Sequence, residues 1–259
     1  MAPVSQDAAR THVPIDISSS VIDRLNEVDP DRIRAARLAD PDIRDHLFAL
    51  YAFHAELAKI PEIVSEPMVG QIRYQWWRDC LDEIYGPGLG RAHDVSNPLA
   101  EMVAQSGISR FMLDRIIDGR ERDLDPTPFN SVNDATDYAD ATSGALAQAA
   151  VFLCGGDGGL TAGRAWGLTG LARSYRYYTD GMLSQLAFGD LLSASGAAFD
   201  QARAERSKDT LPGLAYVSLV PGFIKRMGRT DYDSKADVPD YPPFAKQWRL
   251  FRTVVRGRL

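Results

Sequence analysis

The chain is poor in the residues that most often do chemistry: 259 residues contain two cysteines and four histidines. Cys80 and Cys154 are too few for a disulfide framework and lack the CxxC spacing of a metal or redox site, so a reducing compartment suits the chain. His12, His46, His54 and His93 form neither an HExxH nor an HxxxH pair, so zinc is not expected. There is no GxSxG elbow, and neither cysteine has a histidine near it in sequence, which leaves nucleophilic catalysis without support. The longest apolar stretches, residues 145–154 and 214–224, are interrupted by Gln148 and by Ser218 and Pro221, and they fall short of the ~18 residues that span a bilayer. Residues 1–16 carry Asp7 and Asp16 and no apolar run, which speaks against a secretory or transit signal and makes the cytoplasm the expected location.

Positive charge is also in deficit. The 29 Lys and Arg against 35 Asp and Glu give a net charge of −6, which argues against a general nucleic-acid partner held by phosphate neutralisation. Strand signals are scarce because no stretch alternates apolar and polar residues over several β-branched positions, whereas helical spacing recurs throughout. The expected fold class is therefore all-α. Asp29-Pro30, Asp40-Pro41 and Asn97-Pro98 each offer a capping acceptor followed by a proline suited to a first helical turn, and Ser131 with Asp134 resembles a capping box. Ile43, Leu47, Leu50 and His54 share one face of a helix starting at Pro41.

The Ala- and Gly-rich segment 139–150 should let a neighbouring helix or a bound chain approach closely and is a candidate cavity floor. The glycine cluster 155–159 follows no strand and precedes no GK[ST], so it reads as a helix connection rather than a phosphate loop. Four regions are expected: a flexible N-terminal arm at 1–20, a helical domain at 21–227, a linker at 228–243 and a basic amphipathic helix at 244–259. Carboxylate pairs at helical spacing, Asp79 with Glu83 and Asp114 with Asp118, are interleaved with Arg78, Arg115, Arg120 and Arg122, which favours solvated ion pairs over a divalent-cation site.

Residues 47–81 contain YAF at 51–53, then Gln71-Ile72-Arg73 and Trp76-Trp77-Arg78; IIDGRERDL follows at 116–124, YADATSGAL at 138–146 and LTGLAR at 168–173. Together these landmarks resemble the phytoene/squalene synthase superfamily, which implies a single-domain helical bundle of the isoprenoid synthase type. Enzymes of that superfamily use two Asp-rich motifs to hold Mg²⁺ against a prenyl diphosphate leaving group. The positions that correspond to the first motif carry Ala58, Lys59 and Glu62, with Pro61 expected to interrupt the helix. Those of the second carry Gly170, Ser174 and Tyr178. A lysine within about 5 Å would repel Mg²⁺ by several kcal/mol where water does not screen it, so Mg²⁺ is expected only on an enzyme reading and no cofactor otherwise.

Ser65-Glu66-Pro67 with Gln75-Trp76-Trp77-Arg78-Asp79 resembles more closely the non-catalytic branch of respiratory complex I assembly factors. That resemblance implies an assembly or scaffolding role with a complex I subunit or assembly intermediate as partner. The alternatives are an active prenyltransferase of squalene or phytoene synthase type and an isoprenoid or lipid carrier using a central cavity. Arg73, Arg78, Arg173 and Arg176 are candidates to face that cavity and hold a phosphate or lipid headgroup, or to sit on the bundle surface. Of the adjacent tryptophans, Trp76 is assigned to core packing. At the end of the chain, Phe244, Trp248, Phe251 and Val255 share one helix face, while Lys246, Arg249, Arg252 and Arg256 occupy the other. This helix either docks on an anionic membrane surface or acidic partner, as a peripheral contact on the inner face of the cytoplasmic membrane, or closes the bundle with its arginines in water.

Overall fold

The computed structural model describes residues 14–87, 91–125, 127–205, 211–239 and 241–259, and among them every regular element is helical. Residues 1–13 of the expected arm lie outside the described residues. The remainder is not an arm. Ile15 is buried in the core, and Ser18 caps helix α1 (Ser19–Val28) by accepting from the Val21 N–H at 3.4 Å. Asp29 caps α2 (Pro30–Ala36), with Pro30 in the first turn as expected.

Helix α3 (Pro41–Ile63) starts at the expected proline, although Asp40 makes no capping bond, and it buries Leu47, Leu50 and His54 on one face. Pro61 does not interrupt it; the helix runs to Ile63. A proline there removes the N–H that would bond the Leu57 carbonyl. That carbonyl has the Tyr74 hydroxyl 3.2 Å away from the next helix, α4 (Pro67–Tyr85). In α4 the core residue is Trp77, wedged edge-on against Phe53 at 5.3 Å between ring centroids, whereas Trp76 is half-buried beside His93 and Arg91. The assignment of Trp76 to core packing holds only in part: Tyr74, Trp77 and Leu81 carry the inward stripe, and Trp76, about 100° off Trp77, packs against the edge of the core with its ring 4.9 Å from that of Trp77.

Helix α5 (Ser96–Ser106) begins one residue before the expected Asn97 cap, with Val95 at the cap position, and ends on left-handed Gly107. Then come α6 (Arg110–Glu121) and α7 (Val132–Ala139). Ser131 caps α7 by accepting from the Asp134 N–H at 3.3 Å, while the Asp134 carboxylate accepts from the Asn130 N–H at 2.8 Å. A π-helical turn (Asp140–Gly144) leads into α8 (Ala145–Leu153), which contributes Leu146, Ala149 and Ala150 to one hydrophobic cluster and Ala147 and Val151 to the other. Buried on nearly all sides, it has to be thin, which accounts for its alanines.

Gly155, Gly158 and Gly159 adopt positive φ and turn the chain into α9 (Leu160–Arg173). Close helix contact depends on two further glycines: a Cβ on Gly119 would collide with the Ala141 carbonyl, and one on Gly163 with the Ser143 carbonyl. The short α10 (Tyr175–Tyr178), α11 (Phe188–Ala204), α12 (Leu211–Leu214) and α13 (Val220–Met227) complete the second cluster around Trp166, Leu191, Phe199 and Phe223.

The segment expected as a linker is packed. Tyr232 stacks on Phe188 at 5.8 Å between centroids, and Tyr241 is buried edge-on against Phe223 at 5.1 Å. The last helix, α14 (Pro243–Arg256), is built into the body: Leu250 and Thr253 are buried, and the Lys246 ammonium donates to both carboxylate oxygens of Asp31 at 3.0 Å. No described helix is long and apolar enough to cross a membrane.

Candidate functional site

A cavity of about 820 Å³ opens among α1, α2, α3, the π-turn and the C-terminal end of α9. That size lies within the ~300–1,000 Å³ typical of small-molecule sites. Ala58, Lys59 and Glu62 reach it from α3, and Gly170, Ser174 and Tyr178 reach it from α9 and α10, so the two separate sequence segments meet at one space. Thr142 and Ser143 of the small-residue segment also line it.

Its donor set does not fit a Mg²⁺ pair. Where paired carboxylates would be required, the α3 side offers a methyl, an ammonium and the single carboxylate of Glu62, and the α9–α10 side an alcohol and a phenol. Among the described residues no three His, Cys, Asp or Glu side chains come together in a way that could hold a metal ion. Four of the six acids that line the cavity lie within ion-pair distance of a cation, Glu56 at 3.9 Å from Arg24 among them, while, among the described residues, Glu27 and Glu62 do not. Asp29 pairs with Arg32 at 2.5 Å, Asp31 with Lys246 at 3.0 Å and with Arg34 at 3.2 Å, and Asp123 with Arg120 at 3.0 Å.

The polar floor is a network that sequence reasoning did not assign. Two guanidinium nitrogens of Arg120 lie 2.8 and 3.3 Å from His54 Nε2, and Arg120 also donates to Asp123 and to the Tyr138 hydroxyl. The Tyr138 hydroxyl in turn donates to Asp123 at 2.5 Å. A guanidinium only donates, so His54 Nε2 must accept and the ring is neutral. Burial, reinforced by the Arg120 and Arg32 charges, holds the His54 pKa well below the usual histidine value. Burial likewise raises the Tyr178 pKa, with Asp123 and Glu62 adding to the effect. The signal was present, since Arg120 and Tyr138 sit inside the IIDGRERDL and YADATSGAL landmarks, but nothing in one sequence pairs them with His54.

Of the four candidate arginines, Arg173 is the one that lines the cavity. It is half-buried, with its guanidinium over the Phe223 ring at 4.3 Å and the Trp166 ring at 5.6 Å, no carboxylate pairs with it among the described residues, and desolvation pushes its pKa down. The other three lie elsewhere. Arg73 is exposed on α4. Arg78 bridges α4 to α6 through Glu121 at 2.8 Å and Asp118 at 2.7 Å. Arg176 donates to the Ala236 carbonyl at 3.1 Å. Helix α4 has no residue in the cavity wall, and the backbone leaves helical geometry at Ser174, so the angular relation of Arg176 to Arg173 is lost. The acid pairs at helical spacing sit outside the cavity in ion pairs, Asp79 and Glu83 with Arg91, and Asp114 with Arg110.

An all-helical bundle with two facing wall segments around a central cavity is the architecture of the isoprenoid synthase class. The squalene/phytoene synthase family profile matches residues 25–182, more than half of the chain, and the chain belongs to this family. Curated relatives are similar over a shorter stretch. The bovine protein named NADH dehydrogenase (ubiquinone) complex I, assembly factor 6, is 30% identical over 125 residues, covering 48% of this chain and 37% of its own length. The human protein of that name is 28% identical over the same extent, and the mouse protein is 34% identical over 98 residues, covering 38% of this chain and 29% of its own. The matched part therefore spans 29–37% of the length of these relatives.

Proposed function

We propose that this protein is a non-catalytic member of the squalene/phytoene synthase family that acts as a scaffolding factor in the assembly of respiratory complex I. The observation that carries the reading is the pair of wall segments at which Ala58, Lys59, Ser174 and Tyr178 face one cavity. Removing a diphosphate from an allylic carbon requires cations to neutralise the leaving group, and these four side chains supply no carboxylate to hold them, which leaves Glu62 alone on that wall. The similarity to proteins named as complex I assembly factors supports the role and the class of partner, a complex I subunit or assembly intermediate. A location on the inner face of the membrane that carries complex I belongs to the same proposal. The test is deletion of the gene followed by measurement of membrane NADH oxidation and of isoprenoid products. Loss of NADH oxidation with unchanged isoprenoids supports assembly; the reverse result overturns it.

A second reading, an isoprenoid or lipid carrier, is favoured by one observation: the cavity is large and keeps a half-buried arginine, Arg173, without a carboxylate partner among the described residues. Mass spectrometry of the purified protein checks it. A copurified amphiphile with an anionic head supports a carrier, and an empty cavity argues against one.

A further inference from the structure

Helix α14 has three faces, not two. Leu250 and Thr253 are 1% and 6% exposed and, with Lys246 on Asp31, hold the helix to the body. Phe244, Trp248, Phe251 and Val255 point the opposite way and are 79%, 56%, 51% and 66% exposed. The apolar stripe that the sequence pattern offers as a packing face is therefore the solvent face. Arg252, Arg256 and Arg249 fill the flank between the two, and Arg258 follows the left-handed cap at Gly257. No carboxylate pairs with any of these four arginines among the described residues, and residues 243–259 contain no acid in a chain whose net charge is −6.

We propose that α14 is an interfacial helix that docks the protein on an anionic lipid surface. The charge distribution selects this occupant. The body is acidic and is repelled by such a surface, so only the α14 side is attracted, and that fixes the orientation with the stripe facing the bilayer. Trp248 and Phe251, with ring centroids 6.1 Å apart, form an aromatic pair of the kind suited to the headgroup boundary. At 14 residues the helix is too short to span and lies in the plane of the interface. Docking needs no rearrangement, because the buried face is already satisfied. The proposal is argued from α14 alone and deepens the membrane location in the assembly reading; a failure of vesicle binding would sink it while leaving the NADH-oxidation test of that reading untouched.

The test is flotation of the full chain with phosphatidylcholine vesicles and with vesicles that also contain phosphatidylglycerol, at low and high salt. Binding is expected only to the anionic vesicles, weakening as salt is added, with a blue shift of tryptophan emission that Trp248→Ser abolishes. Replacing Arg252 and Arg256 together by Gln should weaken binding on the order of tenfold to thirtyfold. Replacing Trp248 and Phe251 by Ser should weaken it at least as much. Both variants change exposed side chains, so unchanged thermal melting shows that the loss is not unfolding. Failure to bind anionic vesicles, equal binding by wild type and variants, or a dimer that buries the stripe would overturn the proposal.

Discussion

The Tyr74 hydroxyl lies 3.2 Å from the carbonyl of Leu57, the acceptor that Pro61 leaves without its helical N–H. The same hydroxyl is 2.8 Å from the Arg120 carbonyl, so its single proton is shared between the end of α3 and the end of α6, with the shorter contact to α6. This contact explains how α3 carries a proline in its last turn and still delivers Glu62 to the cavity.

Tyr74→Phe should destabilise the protein by about 1–3 kcal/mol, since it strips a buried hydroxyl from two carbonyls. In a Pro61→Ala background the cost should shrink, because the restored N–H can serve Leu57 directly. Chemical denaturation of the two single variants and the double variant reads this coupling; strict additivity would contradict it.

His54 makes stability depend on pH with a definite sign. Its folded pKa lies well below the unfolded value of about 6.5, so its contribution is complete above that pH. As pH falls through 6.5 the unfolded chain takes up a proton that the folded chain refuses. Stability should then drop by as much as ~1.4 kcal/mol per pH unit until the folded pKa is reached. Urea denaturation between pH 7 and pH 5 should show this slope in the wild type and a shallower one in His54→Gln. Identical slopes would mean that the ring is not held neutral.

Gly163 and Gly170 lie on the same helix and should respond oppositely to a methyl group. A Cβ on Gly163 meets the Ser143 backbone, whereas one on Gly170 meets nothing within 4 Å. Gly163→Ala should cost on the order of 1–3 kcal/mol or more from overpacking, and Gly170→Ala should be neutral or slightly stabilising. Thermal melts of the two variants separate them.

Much of the fold is legible in the sequence because its signals are local. Pro30, Pro41 and the Ser131 box mark helix starts, and the spacing of Leu47, Leu50 and His54 marks a buried face. The convergence of residues 58–62 with 170–178 is legible only through family landmarks, since nothing local ties two segments so far apart in the chain. What the sequence hides is compensation at a distance. Pro61 reads as a helix end until Tyr74 is seen beside Leu57, and Arg120 reads as a surface ion until His54 and Tyr138 close around it. The α14 stripe misleads for a different reason: amphipathicity shows that a face wants an apolar partner, not whether the body supplies it.

Carboxylates restored to the cavity wall should restore a metal site. The combined variant Ala58→Asp, Lys59→Asp, Ser174→Asp and Tyr178→Asp should be stabilised by Mg²⁺ in thermal melts, while the wild type should not respond. An equal Mg²⁺ response in both would place the metal away from this wall.

The most direct test of the central claim is incubation of the purified protein with farnesyl or geranylgeranyl diphosphate and Mg²⁺, with release of pyrophosphate as the readout. The cavity described above predicts release no faster than in protein-free controls. Mg²⁺-dependent release that Glu62→Ala abolishes would contradict it and establish an active synthase with an altered metal site.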